Sequence, residues 1–266
     1  MSLYFHGNAP LKFQHQYLVT RDYIIPFIDR VFPLSQSAEV LEIGCGEGGV
    51  LKAFHEKGCH CTGMDLSVSK IENGIQLLAE EIKTGKLNLF ASDIYDPQVM
   101  DKFKERFDLI ILKDTIEHIP NQEIIMNHLK FFLKKGGHIF FAFPPWRMPF
   151  GGHQQTSVTK AGQLPWIHLL PRKLYDKYLK KVGESEATRI SLLEIYDTRI
   201  SINRFEKILK QLHYHIERKR FYLINPIYRF KFKRTPREQF KILAGIPWLR
   251  DFFTTTVYYL INLKEN

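Results

Sequence analysis

The sequence predicts an α/β fold: a doubly wound, mostly parallel sheet interrupted by a helical insertion. Three observations predict it. Strand-like and helix-like patterns alternate five times between residues 38 and 145, at spacings of roughly 20–30 residues. The strands are near-continuous apolar runs, which means that both sheet faces are covered. Gly44, Asp65, Asp93, Asp114 and Pro144 stand just past the five strands. A sheet of this kind binds its ligand beyond those carboxyl ends.

Apolar residues recur at helical spacing over 13–31 (Phe13, Tyr17, Ile24, Phe27, Ile28, Val31), with a kink expected at Pro26 and a stop at Pro33. Residues 40–43 read as the first strand, and 50–57 as a helix ended by Gly58. A second strand spans 59–64. Ser67 caps a helix that runs to about residue 83 and ends at Gly85. The third strand is 87–91. Asp96 and Pro97 then open a short helix in the favoured order of cap and proline. Strand four is 108–113. A helix over 121–134 stops at Gly136 and Gly137, and strand five, 138–143, is halted by Pro144 and Pro145.

After Pro145 the rhythm breaks, and residues 146–199 read as short helical pieces forming an insertion or lid. Regular structure resumes with a helix at 202–212, a strand at 214–223 and a β-branched run at 254–263. The expected organisation is an N-terminal helical segment (1–33), a core (34–145), the insertion (146–199) and the rest of the core (200–266). No internal repeat or low-complexity tract interrupts it.

At 266 residues the chain is long enough to bury a core without staples. Cys45, Cys59 and Cys61 make no disulfide framework and no zinc spacing, so they read as reduced thiols, and no metal is expected. Residues 1–10 lack the basic start and apolar run of a secretory leader. No window reaches the ~20 apolar residues of a membrane span. A soluble, cytoplasmic protein is expected. The charge of +10 is uneven: residues 1–145 hold 15 Lys/Arg against 18 Asp/Glu, whereas 146–266 hold 23 against 10.

Gly44, Gly46 and Gly49 satisfy G-x-G-x-x-G, the spacing of a dinucleotide loop. Glu42 and Glu47 argue against that use. One carboxylate ~5 Å from a phosphate charge costs roughly 3 kcal/mol at an effective dielectric near 20. A cationic ligand without phosphate suits the loop better, with the glycines permitting close backbone approach.

Five motifs in order carry a more specific signal: EIGCGEG at 42–48, GMDLS at 63–67, ASDI at 91–94, FDLIILKDTIEHI at 107–119 and GGHIFFAF at 136–143. Together they resemble the class I S-adenosylmethionine-dependent methyltransferases, of the small-molecule or lipid type. The resemblance covers about residues 38–145. It implies a Rossmann-like sheet of seven strands, mostly parallel with an antiparallel last strand. S-adenosyl-L-methionine is the implied cofactor and S-adenosyl-L-homocysteine the product. Glu42 would help bind the ammonium, with Gly44, Cys45 and Gly46 passing under the methionine and ribose. Asp65 would accept from the ribose hydroxyls and Leu66 would lie on the adenine. Asp93 would take the adenine amino group and the Ile94 N–H a ring nitrogen. Lys113 departs from the small or polar residue common at its position, so its backbone rather than its side chain is expected to serve.

Methyl transfer from a sulfonium requires alignment and the exclusion of water, and a base only where the nucleophile must lose a proton. His118, after strand four, is the first candidate base. His153, past strand five on a glycine-rich polar stretch (150–163) with few anchors that is expected to act as a flexible gate, is the second. Asp114 to Glu117 can equally be read as a capping arrangement ahead of a helix. The motif expected for amino-group methylation of adenine or glutamine, with Pro-Pro after strand four, is absent, which demotes that nucleic-acid reading.

Residues 218–237 hold eight Lys/Arg and no acid, interleaved with aromatics. They read either as a solvated face whose aromatics are core or as a binding surface, and as a surface they fit an anionic or lipid-linked acceptor at a membrane better than RNA, given the aromatics and aliphatics nearby. An RNA-modifying methyltransferase and an NAD-dependent oxidoreductase remain as alternatives.

Overall fold

The computed structural model describes residues 8–264. The expectation that no leader begins the chain falls partly on residues 1–7, outside the described residues. Eight strands form one sheet: β1 (Glu39–Ile43), β2 (His60–Asp65), β3 (Leu87–Ala91), β4 (Phe107–Lys113), β5 (Leu133–Phe143), β6 (Tyr214–Ile224), β7 (Arg237–Glu238) and β8 (Thr256–Leu263). Their order is β3-β2-β1-β4-β5-β8-β6-β7. Strands β1 to β5 pair in parallel, and β8 runs antiparallel to both β5 and β6.

Period-two alternation sends neighbouring residues to opposite faces, and each face has its own helical cover. On one face Leu41, Ile110 and Phe141 pack with Phe205 and Ile208 of the helix Ile202–Gln211. On the other, Val40, Leu109 and Phe140 pack with Phe27, Leu51 and Phe54 from the N-terminal helix and the helix Gly49–Glu56.

The sheet exceeds the expected seven strands by one. β7 is a two-residue edge that pairs with β6 across a register shift, too short to leave a sequence pattern. The N-terminal helix starts at Ala9 and carries a π-helical turn at Thr20–Ile24, ahead of Pro26. Ile25 donates to Thr20 O, and Pro26 has no N–H to continue the α ladder.

The helix expected at 121–134 covers only Gln122–His128 plus a 3-10 turn. β5 starts early at Leu133, and its pairing with β4 jumps from Leu133 to His138. Gly136, with φ +75°, lies in that excursion, so the glycine pair marks an irregularity inside the strand rather than its beginning.

Within 146–199, the helices Arg172–Lys181 and Glu186–Thr198 build a small core from Trp146, Tyr175, Leu179, Leu192, Ile195 and Tyr196. Among the described residues no helix is long and apolar enough to cross a membrane.

Candidate functional site

The glycine loop leaves β1 at its carboxyl end, where β1 lies between β2 and β4. Met64 O accepts from both Gly44 N (2.7 Å) and Cys45 N (3.0 Å), which turns the loop over the end of β2. Gly44 has φ +72°, and a Cβ there would lie 2.6 Å from Thr115 Oγ1. Thr115 in turn donates to Ile43 O at 3.2 Å, so the loop is seated against the end of β4.

Glu42 is 2% exposed, and its Oε2 has no hydrogen-bond partner among the described residues. Burial pushes its pKa well above the usual carboxylate range, with Lys113 opposing the rise. Cys45 is buried beneath the loop, and burial lifts its thiol pKa, so it stays a protonated packing residue. Glu47, also buried, pairs with Lys12 Nζ at 3.3 Å, which brings the N-terminal helix over the loop.

Asp65 is half-buried and ties the site together. Its Oδ2 accepts from Gly46 N and its Oδ1 from Ser67 N, both at 2.9 Å. A carboxylate has about four acceptor positions, so two remain for a ligand. Leu66 beside it is 76% exposed. Asp93 is exposed and its Oδ1 accepts from Tyr95 N at 2.9 Å. The Ile94 side chain is buried, and Ile94 O meets His128 Nε2 at 3.0 Å.

The end of β4 differs from expectation. Lys113 buries its side chain and pairs with Asp114, which sits at φ +53°. The Asp114 side chain keeps 41% of its surface exposed; desolvation pushes its pKa up, but Lys113 and Lys231 pull it below its ordinary value. The Lys113 side chain therefore belongs to the site's charge balance, between Glu42 and Asp114. Asp114 to Glu117 forms no cap: the helix begins at Gln122, and Ile116–His118 is a single 3-10 turn. Glu117 is buried, and neither of its oxygens meets a hydrogen-bond partner among the described residues.

The insertion reaches this place. Thr198 donates to Glu117 O. The His118 and His153 rings lie edge to face, 4.9 Å between centroids. His118 is exposed, yet desolvation by the groups packed round its ring holds its pKa below the usual value, with Asp114 opposing. The stretch around His153 looked like a loosely anchored gate in sequence, yet it is pinned. Gln154 Nε2 donates to Pro149 O (2.7 Å) and contacts His168 Nδ1 (2.9 Å), while Glu184 accepts from Val158 N and Thr159 N.

Three further residues at the mouth escaped sequence reasoning. Lys12 and Lys231 come from short segments that pack on each other, the helices Ala9–Val19 and Tyr228–Phe232. Burial lowers the Lys231 pKa against the pull of Asp114. Tyr228 also feels Asp114, and burial raises its pKa. The charge run was visible, but not its fold back onto the site. Much of the rest of that run is used internally: Arg218 donates to Phe27 O, Arg229 to Tyr23 Oη, and Lys219 and Arg220 pair with Glu206 and Glu238. A separate groove of about 500 Å³, lined by Leu209, Lys210, His213 and Tyr214, lies at the start of β6, the wrong end of the sheet for ligand binding.

Residues 13–183 match a family model described as a methyltransferase domain. A ubiquinone biosynthesis O-methyltransferase from Coxiella burnetii is 29% identical over 150 residues, 56% of this chain and 59% of that protein. One of the same name from Vibrio vulnificus is 28% identical over 121 residues, covering 46% and 48%. The chain thus matches less than two thirds of the length of these relatives. Among solved structures, a putative sarcosine dimethylglycine methyltransferase from Galdieria sulphuraria superposes with a TM-score of 0.59 at 12% identity, covering 92% of this chain and 85% of that one. A geranyl diphosphate C-methyltransferase from Streptomyces coelicolor superposes at 0.56 with 13% identity, covering 90% and 78%. These likenesses carry the fold.

Proposed function

The chain belongs to the methyltransferase-domain family, and from that premise we propose that it transfers a methyl group from S-adenosyl-L-methionine to a small-molecule or lipid-linked acceptor, releasing S-adenosyl-L-homocysteine. Glu42 is the observation that carries this reading. A buried carboxylate oxygen without a partner, beside a backbone loop, fits an ammonium and repels a pyrophosphate. The same charge argument weighs against an NAD-dependent oxidoreductase.

The residues present fit the cofactor. Glu42 would meet its ammonium, Gly44 to Gly46 would leave room for the backbone to approach, and the two open acceptor positions of Asp65 would take the ribose hydroxyls. Leu66 offers an exposed apolar surface to the adenine, and Asp93 and Ile94 lie at the end of β3 for its edge. When bound, the cofactor supplies a methyl group already activated by its sulfonium. The chain's own task is alignment and the exclusion of water. His118, exposed and with its pKa held below the ordinary value, is available to take a proton at a ring nitrogen, and the His153 ring lies edge to face against it.

Lys231 and Lys12 at the mouth support an acceptor with an anionic group. A peripheral membrane contact also belongs to this reading. Ile242 and Trp248, 83% and 63% exposed, stand in a stretch with the exposed Lys241. RNA fits less well, because much of the 218–237 charge is satisfied inside the protein. Three free, buried cysteines support a cytoplasmic setting. Calorimetry with S-adenosylmethionine and with NAD tests the cofactor: saturable binding of the first alone is expected, and binding of NAD alone overturns the reading. Formation of S-adenosylhomocysteine with a metabolite extract, followed by mass spectrometry, then tests transfer and finds the acceptor.

A further inference from the structure

We propose that Glu117, His118 and His153 form a divalent-metal site that links the end of β4 to the inserted segment. One ligand atom from each of the three residues lies within 4.8 Å of the others. The independent observation is Glu117. It is 3% exposed, and neither carboxylate oxygen has a hydrogen-bond partner among the described residues. A buried carboxyl group left in this state is costly, and a proton or a cation must answer it. Lys113, the nearest buried ammonium in sequence, is committed to Asp114. Two imidazoles are already in place around the orphaned group.

The donor chemistry selects the metal. Two imidazoles and one carboxylate suit zinc, cobalt, nickel or manganese, whereas magnesium prefers oxygen alone. Ligand bonds of about 2.0–2.1 Å place tetrahedral donors roughly 3.4 Å apart. The three side chains therefore need to draw together by up to about 1.4 Å, which rotation of the half-buried His153 can supply. Asp114 adds negative charge beside the cluster, while Lys70 and Glu194 lie within electrostatic reach of His118 with opposite signs. Three protein ligands leave a position open, the pattern of a site that receives a further ligand atom rather than of a closed structural site. Because Glu117 and His118 belong to β4's end and His153 to the segment past β5, the ion would act as a clasp between them.

The test needs no turnover. The full chain, stripped with a chelator and exchanged into non-chelating buffer, is titrated with Zn²⁺ or Co²⁺ in the absence of S-adenosylmethionine. One equivalent is expected to bind, with a Co²⁺ visible spectrum of nitrogen–oxygen ligation and little competition from Mg²⁺. His153→Ala and His118→Ala should each weaken binding at least tenfold, and Glu117→Gln likewise. His138→Ala, at a histidine midway along β5 and away from the cluster, should leave it unchanged. Should Glu117→Gln fail to fold, the His153 variant on the surface loop still decides. Absence of saturable binding, or undiminished binding in His153→Ala, overturns the site. Cofactor calorimetry on the same samples is a separate readout, so loss of the metal site leaves the methyl-transfer reading standing.

Discussion

Gly46 donates its backbone N–H to Asp65 Oδ2 at 2.9 Å, joining the glycine loop to the end of β2. With Ser67 N on the other oxygen, the carboxylate organises the loop as well as offering positions to a ligand. Asp65→Ala should weaken S-adenosylmethionine binding by about 1.5–3 kcal/mol. It should also lower unfolding free energy by roughly 1–2 kcal/mol, since two backbone donors lose their acceptor. Calorimetry and urea denaturation measure the two losses; unchanged affinity would place the ribose elsewhere.

Two glycines with similar φ should respond very differently to alanine. Gly44→Ala meets Thr115 Oγ1 at 2.6 Å, whereas Gly85, at φ +75°, has nothing within 4 Å of an added Cβ. Gly85→Ala should cost only the left-handed strain, roughly 1–2 kcal/mol. Gly44→Ala should cost more than that and abolish cofactor binding. Thermal melts of both variants make the comparison, and equal losses would show that Thr115 yields freely.

Asp251 predicts a pH dependence. It is fully buried, and burial lifts its pKa to about 6 from 3.8, with Arg147 opposing. The folded state therefore holds the proton more tightly than the unfolded chain, and stability falls as pH rises from about 4 to 6. Above that window the ionised group costs about 3 kcal/mol, taking ~1.4 kcal/mol per unit. Asp251→Asn should stabilise the protein by roughly 2–3 kcal/mol at pH 7, with the gain vanishing near pH 4. Denaturation midpoints at the two pH values check the sign.

Lys231 should act on the acceptor and not on the cofactor. Lys231→Ala is expected to raise the acceptor KM at least tenfold while S-adenosylmethionine affinity changes less than twofold. Kinetics with the acceptor found by extract screening provide the measurement. A drop in kcat alone would assign Lys231 to holding Asp114.

Hydrogen exchange over 150–163 should be slow in the ligand-free protein, because Gln154 and Glu184 pin that stretch. Gln154→Ala should speed it at least tenfold. Fast exchange in the unaltered chain would restore the gate that its glycines and polar residues suggested.

The contrast shows where sequence is informative. The positions of Glu42, Asp65 and the glycine loop are legible because strand ends and loop lie close together along the chain, and local spacing fixes where they fall on the sheet. Lys12 and Lys231 reach the mouth only through the packing of two short helical segments far apart in sequence. No periodicity encodes that approach. Glu117 was visible, but its spacing from Asp114 also fits a helix cap, and burial alone distinguishes the two. The anchors of 150–163 were hidden for a related reason: Gln154 and Glu184 look like surface polar residues until their partners are known.

The sheet order sets a constraint on how the molecule is made. Among the described residues β6 pairs with no strand except β8 and the two-residue β7, and β8 lies between it and β5. As the chain leaves the ribosome, residues 214–224 emerge with no edge to join, since the site beside β5 is reserved for a strand still inside the tunnel. During that interval β5 presents its Phe140 and Phe141 backbone as an open template for any passing strand. The half with the glycine loop and Asp65 can be assembled by then, so ligand binding to nascent chains would precede closure of the sheet.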